Sequence, residues 1–273
     1  MSKKVVAGLF ILLFAIITGV YFAKINHEIE AALTLIPPFL AAIFGFKAAY
    51  SYSFENIHGK AMAALAYGMS FFFIGELLFF LLHFVFNKDP FPSVADIFYL
   101  AAYPLLFLGF MVEIKYNKPK LNSFNKFALL MMFLISAGLA TAVAYFGIYK
   151  AYDPAVSASA NIIAMTYGVV DLIILAPSIY VLRLALEYKG GKLYNSWMLI
   201  FLGILLTLIG DILFALYNPQ YVANKWPYVL IDLIWAASYM LFAYAFYYTA
   251  YTLNDLRKKI KSKKTIAELA TEK

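Results

Sequence analysis

Long apolar runs dominate this chain and limit what it can fold into. Eight stretches carry very few charged side chains, and each has roughly the 20 residues that a helix needs to cross a bilayer. Backbone groups inside a bilayer must bond within one helix or within a closed barrel, and these runs are too long and continuous for barrel strands. We therefore predict an all-α, polytopic membrane protein with eight transmembrane helices, over residues 4–23, 29–50, 61–86, 93–112, 126–149, 157–186, 195–217 and 227–252.

The composition agrees with this fold class. Hydrophobic residues make up 64% of the 273 residues and charged residues only 14%, against about 25% charged in a soluble domain. We expect residues 1–252 to form a single transmembrane domain and residues 253–273 to form a basic tail. The chain has no cysteine and three histidines without the spacing of a metal motif, so we expect neither a metal nor a cofactor.

The basic residues are divided unequally between the two sides of the predicted membrane domain. Of the 22 lysines and arginines, all but Lys24, Lys88, Lys150 and Lys225 fall on the side of the two termini. Positive loops stay in the cytoplasm, which predicts a multi-pass protein of the cell membrane with both ends cytoplasmic. The net charge of +7 is spread over these loops, so we expect contacts with anionic membrane lipids and no nucleic-acid partner.

The two halves of the chain share a short pattern. Ile74-Gly75-Glu76 aligns with Ile209-Gly210-Asp211 at an offset of 135 residues, and a second set follows with one residue of slippage. This predicts a duplication into two parallel four-helix repeats, at about 1–120 and 121–252, with chance similarity of apolar segments as the alternative. The second set aligns Pro92, Asp96, Tyr99 and Tyr103 with Pro227, Asp232, Trp235 and Tyr239.

Five carboxyl groups fall inside predicted spans. A charged side chain at the centre of a bilayer costs about 3 kcal/mol or more, and no lysine or arginine lies deep in a span to offset that cost. We expect these groups to be protonated, hydrated, hydrogen-bonded to tyrosine or occupied by a cation. The five are Glu76, Asp96, Asp171, Asp211 and Asp232.

Aromatic residues lie at helical spacing beside two of these carboxyls. Asp96, Tyr99 and Tyr103 follow an i, i+3, i+7 pattern, and Asp232, Trp235 and Tyr239 repeat it, so each set occupies one helix face. Together with Glu76, Asp171 and Asp211, these residues predict an outward-facing acidic and aromatic cavity that binds a cationic or amphipathic ligand. The alternatives are a helix cap at Asp96 after Ser93, an aromatic belt at the membrane boundary, and ordinary interhelical hydrogen bonds.

The pattern around Asp96 resembles the multi-span N-terminal sensory region of some bacterial diguanylate cyclases. It comprises Pro92-Ser93-x-x-Asp96-x-x-Tyr99-x-x-x-Tyr103-Pro104, then Gly210-Asp211-Ile212-Leu213 and Asp232-x-x-Trp235-x-x-x-Tyr239. The resemblance runs over about residues 29–252 and implies a membrane module that detects a small-molecule or lipid signal. Because only Leu253 to Lys273 follow the last span, we expect no cyclase activity and a separate cytoplasmic signalling partner.

The chain is also similar, more weakly, to the lysoplasmalogenase family of integral membrane hydrolases. The shared features are eight spans, an acidic residue in span three at Glu76 and another in span seven at Asp211. This resemblance implies that Glu76 and Asp211 act as a catalytic acid and base toward water, although glutamate stands where the family has aspartate. Three functions therefore remain open: a ligand-sensing or ligand-binding module, a carboxylate-based lipid hydrolase, and a proton- or cation-coupled carrier.

Overall fold

Helices make up nearly all of the structure, a computed structural model that describes residues 2–117, 126–187 and 193–271. Nine α-helices occupy these ranges, and the same ranges contain no β-strand. Lys118, Lys120, Lys189, Lys192 and Lys273, which contribute to the charge asymmetry, lie outside the described residues. The helices are α1 (Lys3–Ala23), α2 (His27–Thr34), α3 (Ile36–Tyr52), α4 (Ile57–Phe80), α5 (Val94–Asn117), α6 (Lys126–Ala142), α7 (Ala158–Glu187), α8 (Tyr194–Val222) and α9 (Ile231–Thr271).

Seven helical segments of the described ranges are long and apolar enough to cross a membrane. An eighth, Phe133–Tyr149, is shorter and falls in the predicted fifth span. The prediction of an all-α, polytopic membrane protein is therefore confirmed. The seven are Lys3–Ala23, His27–Tyr52, Ile57–Val85, Val94–Tyr116, Ala158–Arg183, Tyr194–Val222 and Tyr228–Ile260.

Several helices depart from regular α geometry near their ends. The second span is divided into α2 and α3 at Leu35, and Pro37 and Pro38 occupy the first turn of α3, where a missing N–H costs least. The helix α4 continues as a π-helical turn, Leu81–Val85, and α6 continues as Val143–Tyr149 in the same geometry. In contrast, α7 runs unbroken through Pro177, and α9 continues through the predicted tail to Thr271.

Six helices pack around a common core in a closed order. Going round, α3 contacts α4, α4 contacts α5, α5 contacts α7, α7 contacts α8, α8 contacts α9, and α9 contacts α3. Phe72, Leu106, Ile204 and Phe242 lie among the buried side chains of this core. The helix α1 packs outside the ring against α9, and α6 packs outside it against α7.

The two ends of the bundle differ in the connections they carry. At one end, here called the loop end, Lys24 lies over the Trp226 ring at 4.4 Å and His83 meets Asn224. This end gathers the connections at 24–26, 86–93, 150–157 and 223–230. At the opposite end, here called the tail end, Lys3 lies over Tyr248 at 3.6 Å, where α9 continues beyond the bundle.

Candidate functional site

A small cavity lies inside the ring near the loop end. Its volume is about 50 Å³, which is enough space for a few water molecules, since one water needs roughly 10–15 Å³ by this measure. The described residues that line this central cavity include no lysine or arginine. Besides four phenylalanines and Thr207, its polar and aromatic wall includes Glu76 from α4, Asp96, Tyr99 and Tyr103 from α5, Tyr167 from α7, Asp211 and Tyr221 from α8, and Trp235 and Tyr239 from α9.

Glycines bring two of the aromatic rings against neighbouring helices. The Tyr99 ring packs on Gly75, where an added β-carbon would come within 2.7 Å of it. The Trp235 indole packs even more tightly on Gly210. Each glycine precedes a carboxylate residue, Glu76 or Asp211, so the close approach places an aromatic ring beside each carboxyl group.

Glu76 and Asp211 each accept a hydrogen bond from the other half of the chain. The Tyr239 hydroxyl of α9 donates to Glu76 Oε1 at 3.0 Å, and the Tyr103 hydroxyl of α5 donates to Asp211 Oδ2. The Trp235 Nε1–H also donates to Asp211 Oδ1, at 2.9 Å. Both oxygens of Asp211 therefore have partners, and both carboxyl groups face the central cavity.

Tyr103 also joins Asp211 to Asp171. Its hydroxyl oxygen lies 2.9 Å from Asp171 Oδ1, but a tyrosine has a single hydroxyl hydrogen for two carboxyl partners. One of the two carboxyl groups must therefore carry a proton, which it donates to the Tyr103 oxygen or to the other carboxyl, since Asp171 and Asp211 also contact each other. Asp171 is the better candidate, because Asp211 already accepts from Trp235 while Asp171 is only 1% exposed.

Asp96 combines a helix cap with a place in the cavity wall. Its Oδ2 accepts from the Ser93 N–H at 2.7 Å, and the Ser93 hydroxyl accepts from the Ala95 N–H, which is a capping box at the start of α5. Its Oδ1 accepts from the Tyr167 hydroxyl at 2.7 Å. The capping alternative is therefore correct, yet the same carboxyl group also lines the central cavity.

Asp232 is placed differently from its counterpart Asp96. It lines a separate cavity of about 30 Å³, together with Glu30 and His27. Its two oxygens accept from the hydroxyls of Tyr21 at 2.6 Å and Tyr221 at 2.5 Å. Of the five carboxyls predicted to share one cavity, Glu76, Asp96 and Asp211 line the central cavity, whereas Asp171 does not and Asp232 faces the adjoining cavity. Glu76, Phe79 and Tyr221 contribute to the walls of both cavities.

Seven predicted residues line the central cavity, and two tyrosines that the sequence did not indicate, Tyr167 and Tyr221, line it as well. Tyr167 lies four residues before Asp171 on α7, so helical spacing from that carboxyl was a signal for it. Tyr221 was missed because span seven was predicted to end at residue 217, whereas α8 continues to Val222. Within the described ranges, no group of three or more histidine, aspartate or glutamate side chains is arranged to hold a metal ion.

Comparison of the chain with protein-family models, curated proteins and solved structures yields no match. The resemblances to cyclase sensory regions and to lysoplasmalogenases therefore rest on their motifs alone.

Proposed function

We propose that this protein is a membrane-embedded ligand-sensing module whose central cavity binds a small ammonium-type cation. The observation that carries the proposal is the wall of the cavity. Glu76, Asp96 and Asp211 line it together with tyrosine and tryptophan rings, and the described lining residues include no basic side chain. An ammonium group matches both features, because it attracts carboxylates and aromatic faces.

Electrostatics supports a cationic ligand over a neutral or anionic one. Each charge buried in a membrane domain costs several kcal/mol unless it is paired, and three carboxyl groups share this small space. The neighbouring hydroxyl and indole groups donate hydrogen bonds but supply no positive charge. A cation in the cavity would reduce the repulsion between Glu76 and Asp211, and a volume that accommodates only a few water molecules favours a small cation such as methylammonium.

A bound proton also offsets part of the negative charge of these carboxyl groups. The hydrogen-bond count at Tyr103 requires a proton on Asp171 or Asp211. Binding of a cation next to Asp211 would favour release of that proton, because the positive charge is then supplied by the ligand. We expect ligand binding and proton release to be linked.

The helix α9 offers a route from the cavity to a cytoplasmic signalling partner. Trp235 and Tyr239 line the central cavity, and the same helix continues without a break to Thr271. Our proposal places both termini in the cytoplasm, as the charge distribution predicts. A change in the packing of Trp235 would then reach the tail through one continuous helix.

An internal duplication is part of the proposal. The contact between α4 and α5 has a counterpart between α8 and α9, and Gly75 with Tyr99 has a counterpart in Gly210 with Trp235. Tyr103 and Tyr239 each bond to the carboxyl of the opposite half. These correspondences support two parallel repeats with the ligand site between them.

Ligand-dependent stabilisation of the purified protein in detergent tests the proposal. Methylammonium chloride should raise the midpoint of thermal unfolding, because a ligand present at 100 times its Kd adds about 2.7 kcal/mol to the native state. Sodium chloride at equal ionic strength and methanol at equal concentration should not. Tetramethylammonium should have a weaker effect because of its size.

Two variants distinguish methylammonium binding in the cavity from general ionic effects on stability. Asp211→Asn should keep the fold, because the amide retains the shape of the carboxyl, and should lose the response to methylammonium. The control Glu55→Gln removes an exposed carboxyl in the turn between α3 and α4 and should respond like the parent. Equal responses of the parent and Asp211→Asn would refute the cation site.

A lipid hydrolase remains the second candidate, because Glu76 and Asp211 line the same cavity. Incubation of the protein with a lysoplasmalogen, followed by measurement of released aldehyde, tests this directly. Turnover that is lost in both Glu76→Gln and Asp211→Asn would replace the sensing proposal. Accumulation of methylammonium in proteoliposomes against its gradient would instead indicate the carrier.

A further inference from the structure

A long groove runs along the outside of the helix ring, between α1, α3 and α9. Its volume is about 680 Å³, and it extends toward the tail end of the bundle. The floor is apolar and is formed by Leu9, Phe10 and Leu13 of α1 with Leu40 and Phe44 of α3. The groove lies outside the central cavity and shares no lining residue with it.

The position of α1 leaves this groove open to the surrounding membrane. Within α1, only Val6, Ile17 and Tyr21 are buried against the rest of the protein, and the helix packs mainly on α9. In a bilayer, an open apolar groove at this depth is filled by hydrocarbon. Contact with acyl chains does not discriminate between lipids, because lipid tails are as apolar as the groove.

The tail end of the groove carries charged and polar side chains that can distinguish between lipid headgroups. Lys47 from α3 and Lys258 from α9 both line it. The acidic residue beside them, Asp255, forms an ion pair with Lys259 at 2.8 Å, so its charge is offset from outside the groove. Tyr251 and Asn254 add a hydroxyl and an amide to the same end.

We propose that this groove binds one glycerophospholipid with an anionic headgroup. One acyl chain lies along the apolar floor, and the phosphate region lies between the ammonium groups of Lys47 and Lys258. Each lysine near an anionic headgroup favours binding by about fivefold. The site is independent of the ligand proposed for the central cavity, and it joins the peripheral helix α1 to the helix that continues toward the tail.

Native mass spectrometry of the detergent-purified protein tests this site with two defined lipids. Phosphatidylglycerol and phosphatidylcholine with identical acyl chains are added in equal amounts, and the bound fraction of each is measured. The parent should bind one phosphatidylglycerol in preference to phosphatidylcholine by at least tenfold. Equal binding of the two lipids would overturn the proposal.

Two double variants test whether the preference for phosphatidylglycerol depends on the lysines of the groove. Lys47→Gln with Lys258→Gln should reduce the preference for phosphatidylglycerol by at least tenfold, to near equality. The control, Lys60→Gln with Lys115→Gln, removes the same charge from exposed positions at the tail end outside the groove and should keep the preference. If both double variants lose it equally, the effect belongs to net charge and the site is refuted.

A third variant tests the apolar floor. Leu9→Trp places a larger side chain at an exposed, membrane-facing position and should displace the acyl chain, so that the single high-affinity phosphatidylglycerol is lost while the thermal unfolding midpoint is kept. Retention of that lipid with unchanged affinity would show that the groove does not hold the chain. Loss of the lipid only in this variant and not in the lysine pair would also contradict the proposed headgroup contact.

Discussion

At the scale of single residues, the hydroxyl of Tyr103 in the cavity wall bridges two carboxyl groups. It is 3% exposed and meets Asp171 and Asp211 at once. Helix spacing placed Tyr103 on the same face as Asp96, but it could not show that the two carboxyl partners come from α7 and α8. That arrangement is a property of the closed ring of helices. It explains how the buried Asp171 and the partly buried Asp211 are tolerated with no lysine or arginine among the described residues that line the cavity.

Removal of this hydroxyl should destabilise the protein. In Tyr103→Phe, both Asp171 and Asp211 lose the hydroxyl that bridges them, and they keep only their contact with each other and the Trp235 bond to Asp211. Leaving buried polar groups unsatisfied costs about 1–3 kcal/mol, so we expect a loss of that size in the free energy of unfolding, measured by denaturant titration in mixed micelles. Tyr50→Phe is the control, because Tyr50 is 73% exposed and should be neutral; equal values for the two variants would contradict the bridging role.

At the scale of helices, close packing at glycine sets the position of the aromatic wall. Gly75 admits Tyr99 between α4 and α5, and Gly210 admits Trp235 between α8 and α9. A side chain at either glycine would push the ring away from the neighbouring carboxyl group. The short sequence match at Gly75 and Gly210 therefore corresponds to a shared packing feature, although the duplication itself stays a prediction.

Gly210→Ala should displace the Trp235 indole. The added methyl group overlaps the ring, and overpacking of this kind costs about 1–3 kcal/mol; the indole hydrogen bond to Asp211 would weaken as well. Thermal unfolding should show a lower midpoint and a changed tryptophan fluorescence spectrum. In the control Gly138→Ala, nothing lies within 4 Å of the new β-carbon, so the midpoint should be unchanged or higher, and the same loss in both variants would argue against a specific clash at Trp235.

At the scale of the whole molecule, the ring of six helices creates a site that no single helix contains. The central cavity takes its wall from five helices, including α4 and α9, which are far apart in the chain but contribute Glu76 and its partner Tyr239. The peripheral helices α1 and α6 lie outside this ring. The orientation of the ring in the membrane stays a prediction, made from the distribution of basic residues.

That orientation is open to a direct experiment, because the natural chain has no cysteine. Single cysteines at Lys118 and Lys225 should react with a membrane-impermeant maleimide from opposite sides of the membrane, Lys225→Cys in intact cells and Lys118→Cys only after lysis. Positive residues retained in the cytoplasm are the physical reason. Labelling of both positions in intact cells would rule out the predicted topology.

The sequence by itself determined the fold class, because the length and hydropathy of the apolar runs leave helices as the way to satisfy the backbone inside a bilayer. It also identified Glu76, Asp96 and Asp211, because a carboxyl group inside an apolar span is costly, and the aromatic residues that follow Asp96, because residues three and seven apart lie on one helix face. Only the tertiary structure decided which of these side chains meet. The separation of Asp232 into a second cavity, the bridge from Tyr103 to Asp171, and the contributions of Tyr167 and Tyr221 all depend on contacts between helices distant in the chain, and periodicity within one helix carries no information about its partners.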